Sequence, residues 1–177
     1  LGIKIESYPS FLYEQSKNKQ RIVIAGSHGK TSITSMILHV LKTLQKPFDY
    51  LVGARIEGFD LMASLSEAPI IVIEGDEYDT AFFDKRSKFV HYRARTALIN
   101  NIELDHADIF ADLAAIETQF HHFVRTVPGT GRIVMQAGSR SPGGSADSAL
   151  ERVLRRGVWT PVERFGNLST AANAGLT

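Results

Sequence analysis

Residues 21–32 decide the fold, and they read Arg21-Ile22-Val23-Ile24-Ala25-Gly26-Ser27-His28-Gly29-Lys30-Thr31-Ser32. The first five form a short apolar run rich in β-branched side chains, which predicts a buried strand. A loop of the form G-x-x-G-K-T follows directly. Its glycines allow the backbone to approach phosphate closely, and Lys30 is long enough to reach the β- and γ-phosphates of a nucleotide. We therefore predict a phosphate-binding loop.

This loop departs from the strict pattern G-x-x-x-x-G-K-[ST], because Ile24 stands where its first glycine would be. The alternative is a glycine turn with an exposed lysine. A position between a strand and a helix favours phosphate binding, since the amides at a helix N-terminus bind anions. The residues predicted to bind the nucleotide here are Gly26, Ser27, His28, Gly29, Lys30, Thr31 and Ser32.

A helix is predicted between Lys30 and Pro47, because apolar residues recur there at helical spacing. We expect this apolar stripe to pack on a sheet. Its members are Ile33, Met36, Ile37, Val40, Leu41 and Leu44.

The remaining apolar runs predict three more buried strands, at 70–73, 96–99 and 132–135, and two helices, at 112–127 and 146–156. Strands that alternate with helices predict an α/β fold, with a mostly parallel sheet flanked by helices. Such sheets bind ligands at the carboxyl ends of their strands. The polar residues at those ends are therefore candidate site residues.

Two polar clusters stand at two of these strand ends. Glu74-Gly75-Asp76-Glu77-Tyr78-Asp79 follows the first strand, and Asn100-Asn101-Ile102-Glu103-Leu104-Asp105-His106-Ala107-Asp108 follows the second. Magnesium near phosphate prefers hard oxygen ligands. Each cluster taken alone is also explained as a solvated acidic loop. Together with the glycine loop, they predict one nucleotide site at one edge of the sheet.

The composition fits an ordinary globular protein, with 177 residues, 44% hydrophobic and 22% charged residues and a net charge of +1. It favours neither nucleic acid nor a membrane as a partner, and we expect a cytoplasmic protein. The absence of cysteine excludes disulfides and thiolate metal sites. The chain lacks an initiator methionine, and we expect residues 1–20 to be the tail of a preceding domain or a linker.

The three motifs in this order, G-[ST]-x-G-K-[ST]-[ST], E-x-D-E and N-x-E-x-D-H, resemble the signature of the Mur ligases of cell-wall synthesis. The resemblance covers about residues 21–166. It implies the central, ATP-binding P-loop domain of such a ligase, with ATP and Mg²⁺ as cofactors. Residues 167–177 are then a disordered tail or the start of a C-terminal domain, and the N- and C-terminal domains of the enzyme are the expected partners.

Residues 76–92, 100–110 and 159–166 are similar to one branch of this family. That branch joins UDP-N-acetylmuramate to the murein tripeptide L-alanyl-γ-D-glutamyl-meso-diaminopimelate in peptidoglycan recycling. The branch that adds L-alanine to UDP-N-acetylmuramate is the alternative within the family. A P-loop nucleotide-sensing module without ligase activity is the alternative from another class.

The resemblance also implies roles for individual residues. Lys30 neutralises the β- and γ-phosphates, while Thr31 and Glu74 hold the magnesium ion that bridges them. His106 helps to hold a second magnesium ion. The implied catalytic residues are therefore Lys30, Glu74 and His106.

Other positions are open to two interpretations. Asn101 is a candidate contact to the nucleotide, although a polar residue at this place is more often a turn former. Phe120 stands where several Mur ligases carry a carbamylated lysine that holds the second magnesium ion, and its spacing predicts a core residue instead. His121 and His122 are expected to be a partly exposed helical pair.

Overall fold

The structure, a computed structural model, describes residues 5–81, 84–103, 110–137 and 148–166. Its strands are β1 (Gln20–Ala25), β2 (Asp49–Leu51), β3 (Ala63–Ser64), β4 (Ile70–Glu74), β5 (Asp79–Ala81), β6 (Asp84–Ser87), β7 (Thr96–Ile99), β8 (Arg132–Gln136) and β9 (Val162–Phe165). Its helices are α1 (Tyr8–Ser16), α2 (Lys30–Thr43), α3 (Lys88–Tyr92), α4 (Leu113–Thr126) and α5 (Ala149–Arg155).

Seven strands form one sheet, in the order β3-β2-β4-β1-β7-β8-β9. Only β3 runs antiparallel to its neighbour, and the other pairs are parallel. The α/β fold with a mostly parallel sheet is therefore confirmed, as are the four strands expected from the apolar runs. Strands β5 and β6 form a separate antiparallel pair.

Helices cover both faces of the sheet, so its central strands are buried on both sides. In β1, Val23 and Ala25 face the larger core, which α1, α3, α4 and α5 complete, whereas Ile24 faces the core beneath α2. A strand buried on two faces has no polar side, which explains its continuous apolar run. Phe120 is fully buried, with its ring centroid 5.1 Å from that of Phe89. Its expected place in the core is confirmed.

The predicted limits of α4 are confirmed. Asp112 caps its first turn by accepting a hydrogen bond from the amide of Ala115, and Val127 is its C-cap. The expectation for its two histidines was wrong for one of them. His122 is exposed, but His121 is buried, since it lies on the face that packs against α5. The predicted helix at 146–156 appears as α5, and its first two residues lie outside the described residues, as do residues 167–177.

The apolar stripe predicted for α2 is only partly the face that meets the sheet. Met36, Val40 and Leu44 are exposed, while Leu38 is fully buried and Thr34 is buried beside it. The face of α2 that packs on the sheet is therefore centred on Thr34 and Leu38 and not on the middle of the apolar stripe. Apolar periodicity locates a helix, but it does not fix the rotation when the stripe is wider than the contact surface.

Helix α1 was missed, because residues 1–20 had been assigned to a tail or linker. Ser7 caps this helix by accepting a hydrogen bond from the amide of Ser10, and Pro9 lies in its first turn. Leu12 is 2% exposed and belongs to the larger core. The division of the chain into 1–20, 21–166 and 167–177 stays a prediction. Among the described helices, none has the length and hydropathy needed to cross a membrane.

Candidate functional site

The three polar clusters lie at one edge of the sheet. Strand β1 is hydrogen-bonded to β4 on one side and to β7 on the other, and all three run in the same direction. The loop at 26–29 therefore emerges between the segment that begins at Glu74 and the segment that begins at Asn100. This arrangement is the one that the sequence predicted.

The loop after β1 needs glycine at two positions. Gly26 and Gly29 have φ angles of 147° and 79°, which disfavour residues with a side chain. Gly29 is also the N-cap of α2, and no side chain caps this helix. The amides of its first turn, from Lys30 to Ser32, are therefore oriented to receive an anion, and the helix dipole favours one.

Asparagine side chains after β7 hold this loop in place. The amide of His28 donates to Oδ1 of Asn101 at 2.9 Å, and Nδ2 of Asn100 donates to the carbonyl of His28 at 3.2 Å. Two more hydrogen bonds join Ser27 and Glu103. The Ser27 hydroxyl donates to the Glu103 carbonyl and accepts from the Glu103 amide. These four hydrogen bonds connect the loop to the segment after β7.

These contacts change the interpretation of Asn101. Its side-chain oxygen is occupied by the loop, so its observed role is that of a brace, and its contact to the nucleotide stays a prediction. Asn100 makes the second half of the brace and was not singled out from the sequence. The available signal was the pair of adjacent asparagines at a strand end, a position where side-chain amides commonly bind neighbouring backbone.

Lys30 points back toward the loop and pairs with a buried carboxylate. Its ammonium donates to the carbonyl of Gly26 at 2.7 Å and to Oε2 of Glu77 at 2.9 Å. The side chain of Glu77 is only 3% exposed and that of Lys30 is 11% exposed. Glu77 was quoted as part of the acidic cluster but was not predicted as a site residue. The carboxyl ends of β1 and β4 bring it to Lys30.

Thr31 and Glu74 form a contact between the first turn of α2 and the end of β4. The hydroxyl of Thr31 donates to Oε1 of Glu74 at 2.7 Å, and the amide of Gly53 donates to Oε2 at 3.0 Å. Glu74 is 8% exposed, and both of its carboxylate oxygens accept a hydrogen bond. One hydroxyl and one carboxylate are hard oxygen ligands that lie next to the phosphate-binding loop.

The oxygen atoms at this edge fit a magnesium ion held jointly by protein and phosphate. Among the residues that the structure describes, no three His, Cys, Asp or Glu side chains cluster as a metal site. Magnesium bound with a nucleotide does not need such a cluster, because one or two protein ligands, phosphate oxygens and water complete its coordination. Thr31 and Glu74 meet that requirement. His106, predicted to hold a second ion, lies outside the described residues.

A family model described as the Mur ligase middle domain matches residues 24–143, which include all three motifs. The chain belongs to the Mur ligase family. The relatives and the solved structure described next are each named as a ligase.

Two ligases are similar to most of the chain. The UDP-N-acetylmuramate–L-alanyl-γ-D-glutamyl-meso-2,6-diaminoheptandioate ligase of Haemophilus influenzae is 41% identical over 166 residues, or 93% of this chain and 35% of the relative. The crystal structure of the UDP-N-acetylmuramate:L-alanyl-γ-D-glutamyl-meso-diaminopimelate ligase from Neisseria meningitides superimposes with a TM-score of 0.78 and 48% identity, over 89% of this chain and 49% of that one.

The other branch considered from the sequence is less similar. The UDP-N-acetylmuramate–L-alanine ligase of Limosilactobacillus reuteri is 36% identical over 127 residues, which is 72% of this chain and 26% of the relative. The chain spans only 35% and 26% of the lengths of these two curated Mur ligases.

Proposed function

We propose that this chain is the ATP-binding domain of a Mur ligase that joins UDP-N-acetylmuramate to L-alanyl-γ-D-glutamyl-meso-diaminopimelate in peptidoglycan recycling. The observation that carries the proposal is the meeting of Lys30 and the Thr31–Glu74 pair at one sheet edge. The peptide specificity is supported by the 41% identity over 93% of the chain to a ligase of that name. A cytoplasmic location is part of the proposal.

The proposed site divides the work among three groups of atoms. The backbone of residues 26–32 surrounds the phosphates, and the Lys30 ammonium neutralises their charge. Thr31 and Glu74 would hold magnesium, which supplies charge neutralisation and fixes the orientation of the phosphates. His106 is proposed to hold a second ion, and Asn101 to contact the nucleotide in addition to bracing the loop.

The reaction that we propose is the one implied by the family. An oxygen of the UDP-N-acetylmuramate carboxylate forms a bond to the γ-phosphorus of ATP, and the bond to ADP breaks. The peptide amine then attacks the carbonyl carbon of the acyl phosphate and loses a proton, and phosphate leaves as the amide forms. Transfer of this kind depends mainly on positioning and charge stabilisation, so no side chain of the chain needs to react covalently.

The proposed partners are the two substrates and the segments that longer Mur ligases carry on either side of this domain. We propose that residues 21–166 form the domain itself. Bringing two reactants to near-attack geometry lowers a barrier by about 7 to 11 kcal/mol. A domain that binds only the nucleotide lacks this advantage, so we expect the 177-residue chain to bind nucleotide without ligating.

The test is phosphate release by the gene product that contains this chain, with mass spectrometry of the product. The proposal requires phosphate release that depends on both UDP-N-acetylmuramate and the tripeptide, with UDP-muramyl-tripeptide formed in equal amount. Turnover with L-alanine in place of the tripeptide would instead assign the alanine-adding reaction. Release that is independent of both acceptors would indicate a nucleotide-sensing module.

A further inference from the structure

We propose that Glu77 is a positioning residue, which fixes the ammonium of Lys30 for the phosphates of the nucleotide. This inference rests on the proposed function, because it assumes that Lys30 binds phosphate. A lysine ammonium has three N–H donors. Two are used, one by the Gly26 carbonyl at 2.7 Å and one by Glu77 at 2.9 Å. The third remains for a phosphate oxygen.

Glu77 can act as a fixed point because its segment is bound on two sides. The amide of Gly75 donates to the carbonyl of Ile24 in β1 at 2.8 Å. The Ser87 hydroxyl donates to the carbonyl of Glu77, and Ser87 is 1% exposed. The amide of Lys88 donates to the carbonyl of Tyr78 at 3.0 Å. The backbone that carries Glu77 is therefore held between β1 and the start of α3.

A fixed carboxylate lowers the conformational entropy that the Lys30 side chain loses when it binds phosphate. A free lysine side chain loses conformational entropy when it is ordered on a ligand, whereas a lysine that is already paired has lost it during folding. Glu77 is 3% exposed, so water could not replace the ammonium if the pair were broken. The phosphate therefore adds to the pair and does not displace Glu77.

The test compares the affinities of ADP and AMP, because AMP lacks the β-phosphate that Lys30 is proposed to contact. Both affinities are measured by titration calorimetry with magnesium for the chain and for Glu77→Gln. Positioning predicts that the preference for ADP over AMP falls by about tenfold or more, since losing one hydrogen bond between charged groups weakens binding by about that much. In the Lys30→Met background, the same Glu77→Gln change should leave the preference unaltered.

Asp49→Asn is the matched control. Asp49 is fully buried and pairs with Lys19 at 2.7 Å, where β2 begins. Breaking this pair should lower stability and leave the ADP preference unchanged. If Glu77→Gln does not fold, Glu77→Asp keeps the charge but shortens the reach, and positioning predicts a partial loss of the preference.

The outcomes separate this inference from the proposed function. An ADP preference that survives Glu77→Gln would make the pair purely structural, and a preference that increases would make Glu77 a competitor of phosphate. Either result overturns the positioning role while leaving the nucleotide site standing. A loss that persists in the Lys30→Met background would show that Glu77 acts without Lys30. A wild-type chain with no ADP preference would overturn both proposals.

Discussion

Replacement of Lys30 by methionine is expected to destabilise the chain in addition to weakening phosphate binding. Its partner Glu77 is 3% exposed and lies 2.9 Å from the ammonium. Removing one member of a buried ion pair costs about 3–5 kcal/mol, because the remaining buried charge loses the opposite charge beside it. Lys30 is 11% exposed and lies in the first turn of α2, so we expect a loss at the lower limit, about 3 kcal/mol.

This loss is large relative to the total, because folded domains are stable by only about 5–15 kcal/mol. Methionine keeps most of the length of the lysine stem, so the measured loss reports the missing charge more than a new cavity. Glu77→Gln in the same chain removes the carboxylate charge that has lost the Lys30 ammonium. The double variant Lys30→Met/Glu77→Gln should therefore regain most of the stability that Lys30→Met loses.

The assay is urea unfolding of the wild type, both single variants and the double variant, followed by circular dichroism. The four free energies of unfolding give the coupling between the two side chains. A Lys30→Met chain as stable as the wild type would refute the buried pair. So would a double variant that is no more stable than Lys30→Met.

Three further predictions concern other parts of the chain. Glu74→Gln should raise the magnesium concentration needed for tight ADP binding, because an amide is a poorer magnesium ligand than a carboxylate; superimposable titrations would contradict this. Gly75→Ala should lower the free energy of unfolding by about 1–3 kcal/mol, since its Cβ would lie 2.7 Å from Cγ1 of the buried Val23; an unchanged urea midpoint would exclude the clash. Burial lowers the pKa of His121 from its ordinary value of 6.5, so the unfolded chain binds a proton that the folded chain does not. Stability should therefore fall as the pH drops below that value, and His121→Gln should weaken this dependence while the exposed His122→Gln keeps it.

The sheet and the edge that carries the site were predictable because their signals are local. Four apolar runs identified β1, β4, β7 and β8, and polar residues directly after three of them identified the carboxyl edge. Parallel strands then bring those loops together without further information. Asp112 and Pro128 likewise delimited α4 from the sequence alone.

The contacts within the site could not be predicted, because they depend on side-chain directions across different strands. The pairing of Lys30 with Glu77 joins residues 47 positions apart, and the brace from Asn101 to His28 joins residues 73 positions apart. Motif spacing places such residues at one edge but does not say which pairs touch. Helix α1 was missed for another reason, since few of its side chains are buried and its apolar pattern is weak.

The central claim is that the loops after β1, β4 and β7 form one nucleotide site, and amide chemical-shift mapping tests it most directly. A ¹⁵N-labelled chain is titrated with ADP and magnesium. We predict that the largest saturable changes fall at residues 26–32. Further changes are expected at Gly53, whose amide donates to Glu74, and at Gly75, which follows Glu74 in the chain. The opposite edge has a polar cavity of about 340 Å³, lined by Arg95, Thr130 and Gly131 among others. Changes confined to that cavity, with residues 26–32 unmoved, would contradict the account.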